Sequence, residues 1–158
     1  MLTATVTEKD LFKAQQLHAR PNGAKTALLL LILMLFGLYL YDQAGVKPGI
    51  LVGGFVGGIL GFVGYYVVFL KYKCAKIYRQ QKNLQIPYQF SWDSDSIYMK
   101  NEMGEGRIKW SDFTKHKQND TLFLIYHSDV LFNIVPKSAF TNEQQLSEFS
   151  SHLGKIHG

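Results

Sequence analysis

Between Ile50 and Leu70 the chain runs for 21 residues, ILVGGFVGGILGFVGYYVVFL, without a charged side chain and with six glycines. At about 1.5 Å rise per residue this length crosses a hydrocarbon core of roughly 30 Å, and a helix so apolar on every side has no polar face to offer water. Each glycine costs a water-exposed helix on the order of 1 kcal/mol relative to alanine, whereas in lipid it lets a second helix approach closely. The stretch reads as a transmembrane helix, and everything else in the chain is placed relative to it.

A second apolar run, Ala27 to Tyr41, lies just before it. It is short, but Thr26 extends it, Lys25 can snorkel, and Tyr39 and Tyr41 suit a membrane interface, so the expected spans are about 26–42 and 50–70. A signal peptide is the competing reading of the first run. It fits less well, because the preceding segment is long, carries a capped helix of its own, and no small-residue cleavage site follows Tyr41. The linker Asp42 to Gly49 is eight residues rich in turn formers, which makes the two spans an antiparallel hairpin.

Charge is distributed unevenly. Four basic residues precede the first span, Lys47 alone lies in the linker, and Lys71, Lys73, Lys76, Arg79 and Lys82 follow the second without an intervening acid. The positive-inside rule then puts both ends of the chain in the cytoplasm and the linker outside. From Asn83 onward seven basic residues face nine acidic ones, so the net charge of +5 is juxtamembrane and suits anionic lipid headgroups at roughly 1 kcal/mol per cation. A nucleic-acid-binding domain would carry a basic face of its own, and none is legible here.

Gly53, Gly57 and Gly61 recur every fourth residue, and Gly54 and Gly58 repeat the spacing one position on. Such a stripe packs against another helix. The nearest candidate is the first span at Gly37, and a second copy of the chain is the alternative. Neither span holds a charged residue from which an ion or proton path could be built.

The flanking segments read as a small soluble domain. Leu2 to Val6 forms a strand, Thr7 to Asp10 a helix start resembling a capping box, and the helix runs to about Ala19, where Pro21-Asn22-Gly23 ends it. This N-terminal piece, residues 1–24, is expected to pack on the C-terminal domain, with Leu2 to Val6 joining its sheet. The helical pattern of the second span continues to about Leu84, ended by Pro87, so residues 25–82 form the hairpin and its basic extension. From 83 to 158 short alternating strands are separated by tight turns, and Thr141 with Gln144 caps a final amphipathic helix presenting Leu146, Phe149 and Leu153. The expected class is membrane α+β: a two-helix hairpin with a small antiparallel sheet or partial barrel, closed by a C-terminal helix as in pleckstrin-homology-like domains.

The run Gly106 to Phe113, containing Trp110-Ser111-Asp112, the strands after it, and Val135-Pro136-Lys137-Ser138-Ala139-Phe140 resemble the YcxB-like family of bacterial membrane proteins, as does Thr7 to Asp10 placed ahead of a two-span hairpin. The resemblance implies a bacterial inner-membrane protein with a cytoplasmic domain similar to bacterial pleckstrin-homology folds, and no established activity. Trp110 and Phe113 are expected in the core, Ser111 and Asp112 in a turn or cap, and Lys137 exposed beside the helix.

Little catalytic chemistry is visible. His127-Ser128-Asp129 has the residue types of a hydrolase triad, but neighbours on a tight turn cannot point at one another. The single cysteine, Cys74, offers no disulfide framework or cysteine-rich metal site. No glycine loop lies between a strand and a helix to hold a phosphate, so no metal or cofactor is expected. The resulting expectation is a non-enzymatic membrane protein whose domain binds a protein or a lipid headgroup at the cytoplasmic face. An immunity protein neutralising a membrane-acting toxin, and a glycine-zipper oligomer or pore, are the other classes.

Overall fold

The computed structural model describes residues 1–19 and 23–156. Arg20, Pro21 and Asn22, and with them the expected stop of the first helix, lie outside the described residues, as does the side chain of Lys25. The chain divides into two compact units, one formed by Met1–His18 together with the chain from Lys73 onward, the other by Ala19–Tyr72.

The helical unit holds α2, Gly23–Ala44, and the membrane-length part of α3, Pro48–Gln80. Both are long and apolar enough to cross a membrane, and most of their leucine, valine and aromatic side chains are exposed. That pattern is consistent with a membrane protein, because in water such a surface would drive aggregation. Gly45 takes a left-handed φ of 58° just past the end of α2, where a side chain would be strained, and Pro48 opens α3 at a position whose N–H would be unpaired in any case. Both helices exceed the expected spans, since a helix does not stop where its apolar residues do.

The other unit is built on strands. In the first sheet β1 (Leu2–Ala4), β2 (Tyr88–Trp92), β3 (Ser96–Asn101) and β4 (Gly104–Lys109) are antiparallel neighbours in that order. The N-terminal strand joins by pairing Leu2 with Phe90 and Ala4 with Tyr88, across more than 80 residues of sequence. The second sheet is β5 (Lys115–Gln118), β6 (Leu122–Tyr126) and β7 (Phe132–Pro136).

The strands thus form two sheets, and they do not close into a barrel. A 3₁₀ turn at Trp110–Asp112 redirects the chain between β4 and β5. Trp110 anchors it twice: its backbone N–H donates to the Asp95 carbonyl at 2.9 Å and its indole N–H to the Asp93 carbonyl at 3.1 Å. The next strand begins only at Lys115, because Phe113 is turned into the core beside Trp110, as expected.

Helix α1, Glu8–His18, contacts β5, β6 and β7, and α4, Glu143–Leu153, lies in the core shared by the sheets. Every residue of β6 (LFLIY) is buried. Phe123 and Ile125 belong to the main core with Phe90, Trp110, Val135, Phe149 and Leu153. Alternation along a strand sends Leu122, Leu124 and Tyr126 to the opposite face, where α1 buries Leu11, Ala14 and Leu17. An uninterrupted apolar strand is the expected signature of a sheet covered on both faces.

The helix ends show how local chemistry sets boundaries. At α1 the Thr7 hydroxyl accepts from Asp10 N–H at 3.2 Å while the Asp10 carboxylate accepts from the Thr7 N–H at 3.0 Å, a reciprocal cap. At α4 the cap is Asn142, one residue later than the expected Thr141: its side-chain oxygen accepts from Gln145 N–H at 2.9 Å, and the Gln145 side chain accepts from Thr141 N–H at 3.2 Å. Asparagine caps at least as well as threonine and wins the position. Helix α3 ends at Gln80 rather than near Leu84, because Gln85 folds back on a 3₁₀ turn, Lys82–Gln85, and donates its side-chain amide to the Tyr78 carbonyl at 2.7 Å.

Candidate functional site

Lys71, Lys73, Lys76 and Arg79 project from α3, and Lys82 opens the 3₁₀ turn after it. All five are exposed, and no ion pair engages any of them among the described residues. The remaining arc of the helix is held by the folded unit: Cys74 is 1% exposed, and the Tyr78 hydroxyl donates to the Val6 carbonyl at 3.1 Å. Burial pushes the Cys74 thiol above its ordinary pKa, against a smaller opposing effect of Lys73.

The segments singled out in the sequence take packing roles. Trp110 and Pro136 are buried, and Ser111 and Asp112 are exposed on the turn, where the serine hydroxyl donates to the Asp112 carboxylate at 3.4 Å. Phe140 packs against Phe90, Trp92, Phe123 and Phe149 at ring distances of 5.2 to 6.1 Å. Lys137 is half-buried, donating to Gln118 Oε1 at 3.2 Å with its ammonium 4.6 Å from the centre of the Phe123 ring.

The side chains of His127, Ser128 and Asp129 go to separate partners: Asn133, the backbone N–H of Leu131, and Lys115 respectively. Asp93 organises the β2–β3 turn. One of its oxygens accepts from Asp95 and Ser96 N–H, both at 2.8 Å, the other from the Tyr98 hydroxyl at 2.9 Å, with Arg107 at 3.6 Å. These bonds hold the carboxyl below its ordinary pKa, the Asp95 N–H contributing most. No cluster of three or more His, Cys, Asp or Glu side chains that could hold a metal occurs among the described residues.

In the helical unit the glycine stripe is uncovered. A Cβ built on Gly37, Gly53, Gly54, Gly57, Gly58 or Gly61 would meet no atom within 4 Å. The expected close approach of the stripe to Gly37 is therefore not made within the chain. Instead α2 and α3 flank an apolar cleft of about 660 Å³ that both Gly37 and Gly54 line.

A pocket of about 260 Å³ was not expected from the sequence. It opens in the folded unit between the 3₁₀ turn after α3 and the two sheets; Asn83, Asn101 and Asn133 line it with amides, and Lys100 borders it while its ammonium pairs with Glu105. Leu84, Ile86, Tyr88, Met99 and Phe132 supply apolar surface, and the Tyr88 hydroxyl is committed to the Ile134 carbonyl at 2.7 Å. The amides come from a turn, a hairpin end and a strand, so no spacing in the sequence announces them.

Residues 92–153 match the family model described as YcxB-like protein. No curated protein and no solved structure matches the chain. The matched segment begins at the end of β2, takes in Trp110-Ser111-Asp112 and Pro136 to Phe140, and ends with the last residue of α4. Over residues 92–153 the chain is similar to the YcxB-like family.

Proposed function

We propose that this is a non-enzymatic protein of the bacterial inner membrane, in which α2 and α3 form a transmembrane hairpin with both chain ends cytoplasmic and the Asp42 to Gly49 linker outside. The folded unit serves as a pleckstrin-homology-like module that binds a lipid headgroup or a protein at the cytoplasmic face. Four strands, then three, then a closing helix support the pleckstrin-homology comparison. The observation that carries the binding reading is the set of five exposed cations, without an ion pair among the described residues, on the end of an apolar helix and the turn after it. Their charge is free for anionic headgroups, at roughly 1 kcal/mol each and screened by salt. The test uses the full chain in neutral detergent, with Lys71, Lys73, Lys76, Arg79 and Lys82 replaced by Gln. The variant should retain markedly less anionic lipid at low salt, and equal retention would overturn the reading.

A second reading concerns assembly. The uncovered glycine stripe favours association with a second copy of the chain, since lipid alone gains little from a side-chain-free surface. Replacing Gly53 and Gly57 with Leu should abolish crosslinked dimers in membranes; a monomeric parent protein would refute it.

A further inference from the structure

The pocket beside the 3₁₀ turn has a chemistry different from that of the basic run. Asn83 makes no side-chain hydrogen bond among the described residues. Asn101 spends its carbonyl on the N–H groups of Met103 and Gly104, at 2.9 and 3.1 Å, which leaves its NH₂ end open. Asn133 uses its NH₂ end on His127 and Met99, which leaves its carbonyl end open. Three amides therefore offer both donors and an acceptor around one cavity. An amide that both donates and accepts complements adjacent hydroxyl groups, each of which also does both. Lys100 stands between Met99 and Asn101 on β3, so its ammonium lies on the other face of the sheet, paired with Glu105 at 3.1 Å. Lys82 directly precedes Asn83 on the same turn. The apolar side chains opposite suit the carbon face of a small polyol, and 260 Å³ admits a unit of that size rather than a drug-sized molecule.

We infer that this pocket binds a polyol of glycerol size, the hydroxyls meeting Asn83, Asn101 and Asn133. This rests on the headgroup reading above and narrows it, since the basic run would attract any anionic lipid and the pocket would select among them. Free glycerol phosphate and a phosphatidylglycerol headgroup share the chemistry, and the experiment separates them.

The full chain in neutral detergent micelles is titrated calorimetrically with short-chain phosphatidylglycerol, with short-chain phosphatidylserine of equal net charge, and with soluble glycerol 3-phosphate. The parent protein should prefer phosphatidylglycerol by roughly tenfold, the discrimination that one or two matched hydrogen bonds supply. Asn83→Ala should erase most of that preference while leaving phosphatidylserine binding in place. This side chain makes no hydrogen bond within the described residues, so an unchanged melting curve accompanies the loss. Competition by glycerol 3-phosphate identifies a soluble ligand as sufficient; preference without competition identifies the lipid as the source, and either supports the pocket. Equal affinity for the two lipids in the parent protein, or a preference that survives Asn83→Ala, overturns it. If the five-cation variant binds both lipids undiminished while Asn83→Ala still erases the preference, the basic-run reading has failed and the pocket stands.

Discussion

His18 and Tyr126 meet across 108 residues of sequence, with Nδ1 of the imidazole 3.1 Å from the phenol oxygen and the rings stacked at 5.8 Å. Phe132 closes on the same imidazole at 5.2 Å, and Lys117 donates to the carbonyls of Leu17 and His18 at 3.3 and 3.0 Å. The last turn of α1 is thus fastened to the second sheet through its free carbonyls and its terminal ring, the groups a helix end leaves unsatisfied. Tyr126→Phe removes the hydrogen bond alone and should cost about 1 kcal/mol, whereas His18→Ala also loses the ring contacts and should cost roughly 2 kcal/mol. Urea unfolding of the detergent-solubilised protein, followed by near-UV circular dichroism, checks the order.

Phe123 and Leu124 are adjacent and point to opposite faces of β6, yet both are fully buried. Truncating either to Ala should destabilise the folded unit by about 2–5 kcal/mol. A Leu124→Ala variant as stable as the parent would mean that α1 does not cover that face. Deleting residues 1–20, which removes both β1 and α1, should expose Leu122, Leu124 and Tyr126 together and abolish a cooperative melt.

Asn142→Ala should lower stability by about 1 kcal/mol, the usual consequence of losing a cap, and Thr141→Ala by less, because only the Thr141 backbone takes part. The reverse order in thermal denaturation would place the cap back at Thr141.

The Cys74 thiol is buried and its ionisation suppressed, so the nucleophilic thiolate is scarce at neutral pH. Maleimide should label it slowly in the folded protein and quickly once denaturant opens the unit. Rapid labelling under native conditions would show that this turn of α3 is undocked.

Asp93 ionises more readily folded than unfolded, since its bonds from Asp95, Tyr98 and Ser96 favour the carboxylate. Its contribution is therefore complete above its ordinary value of 3.8 and is lost as pH falls below that through the depressed folded value. Asp93→Asn should lower stability above about pH 4, where the carboxylate contributes fully, and change little once the parent carboxyl is protonated, so that the acid limb flattens. An unaltered acid limb would contradict the assignment.

The two apolar helices were legible from length and composition, because a hydrocarbon-length run without charge has few other uses. The strand-rich character of residues 83–158 and the closing helix were legible from changes of period, and the W-S-D and P-K-S-A-F segments lie within the part that matches the YcxB-like family model. Boundaries fared less well where a side chain decided them, as with Gln85 stopping α3 and Asn142 displacing Thr141. The three asparagines of the pocket were invisible, since amides separated by up to 50 residues acquire a common meaning only when a turn, a hairpin and a strand converge.

Local pattern thus determined which segments were apolar helix, strand or turn, for these depend on neighbours in sequence and on the solvent each face must meet. Tertiary structure alone decided that the strands divide into two sheets at Trp110, that α1 covers the far face of β6, and that the glycine stripe of Ile50 to Leu70 is left open. Each of these depends on which distant surfaces come together, and burial energy is realised only between surfaces that meet.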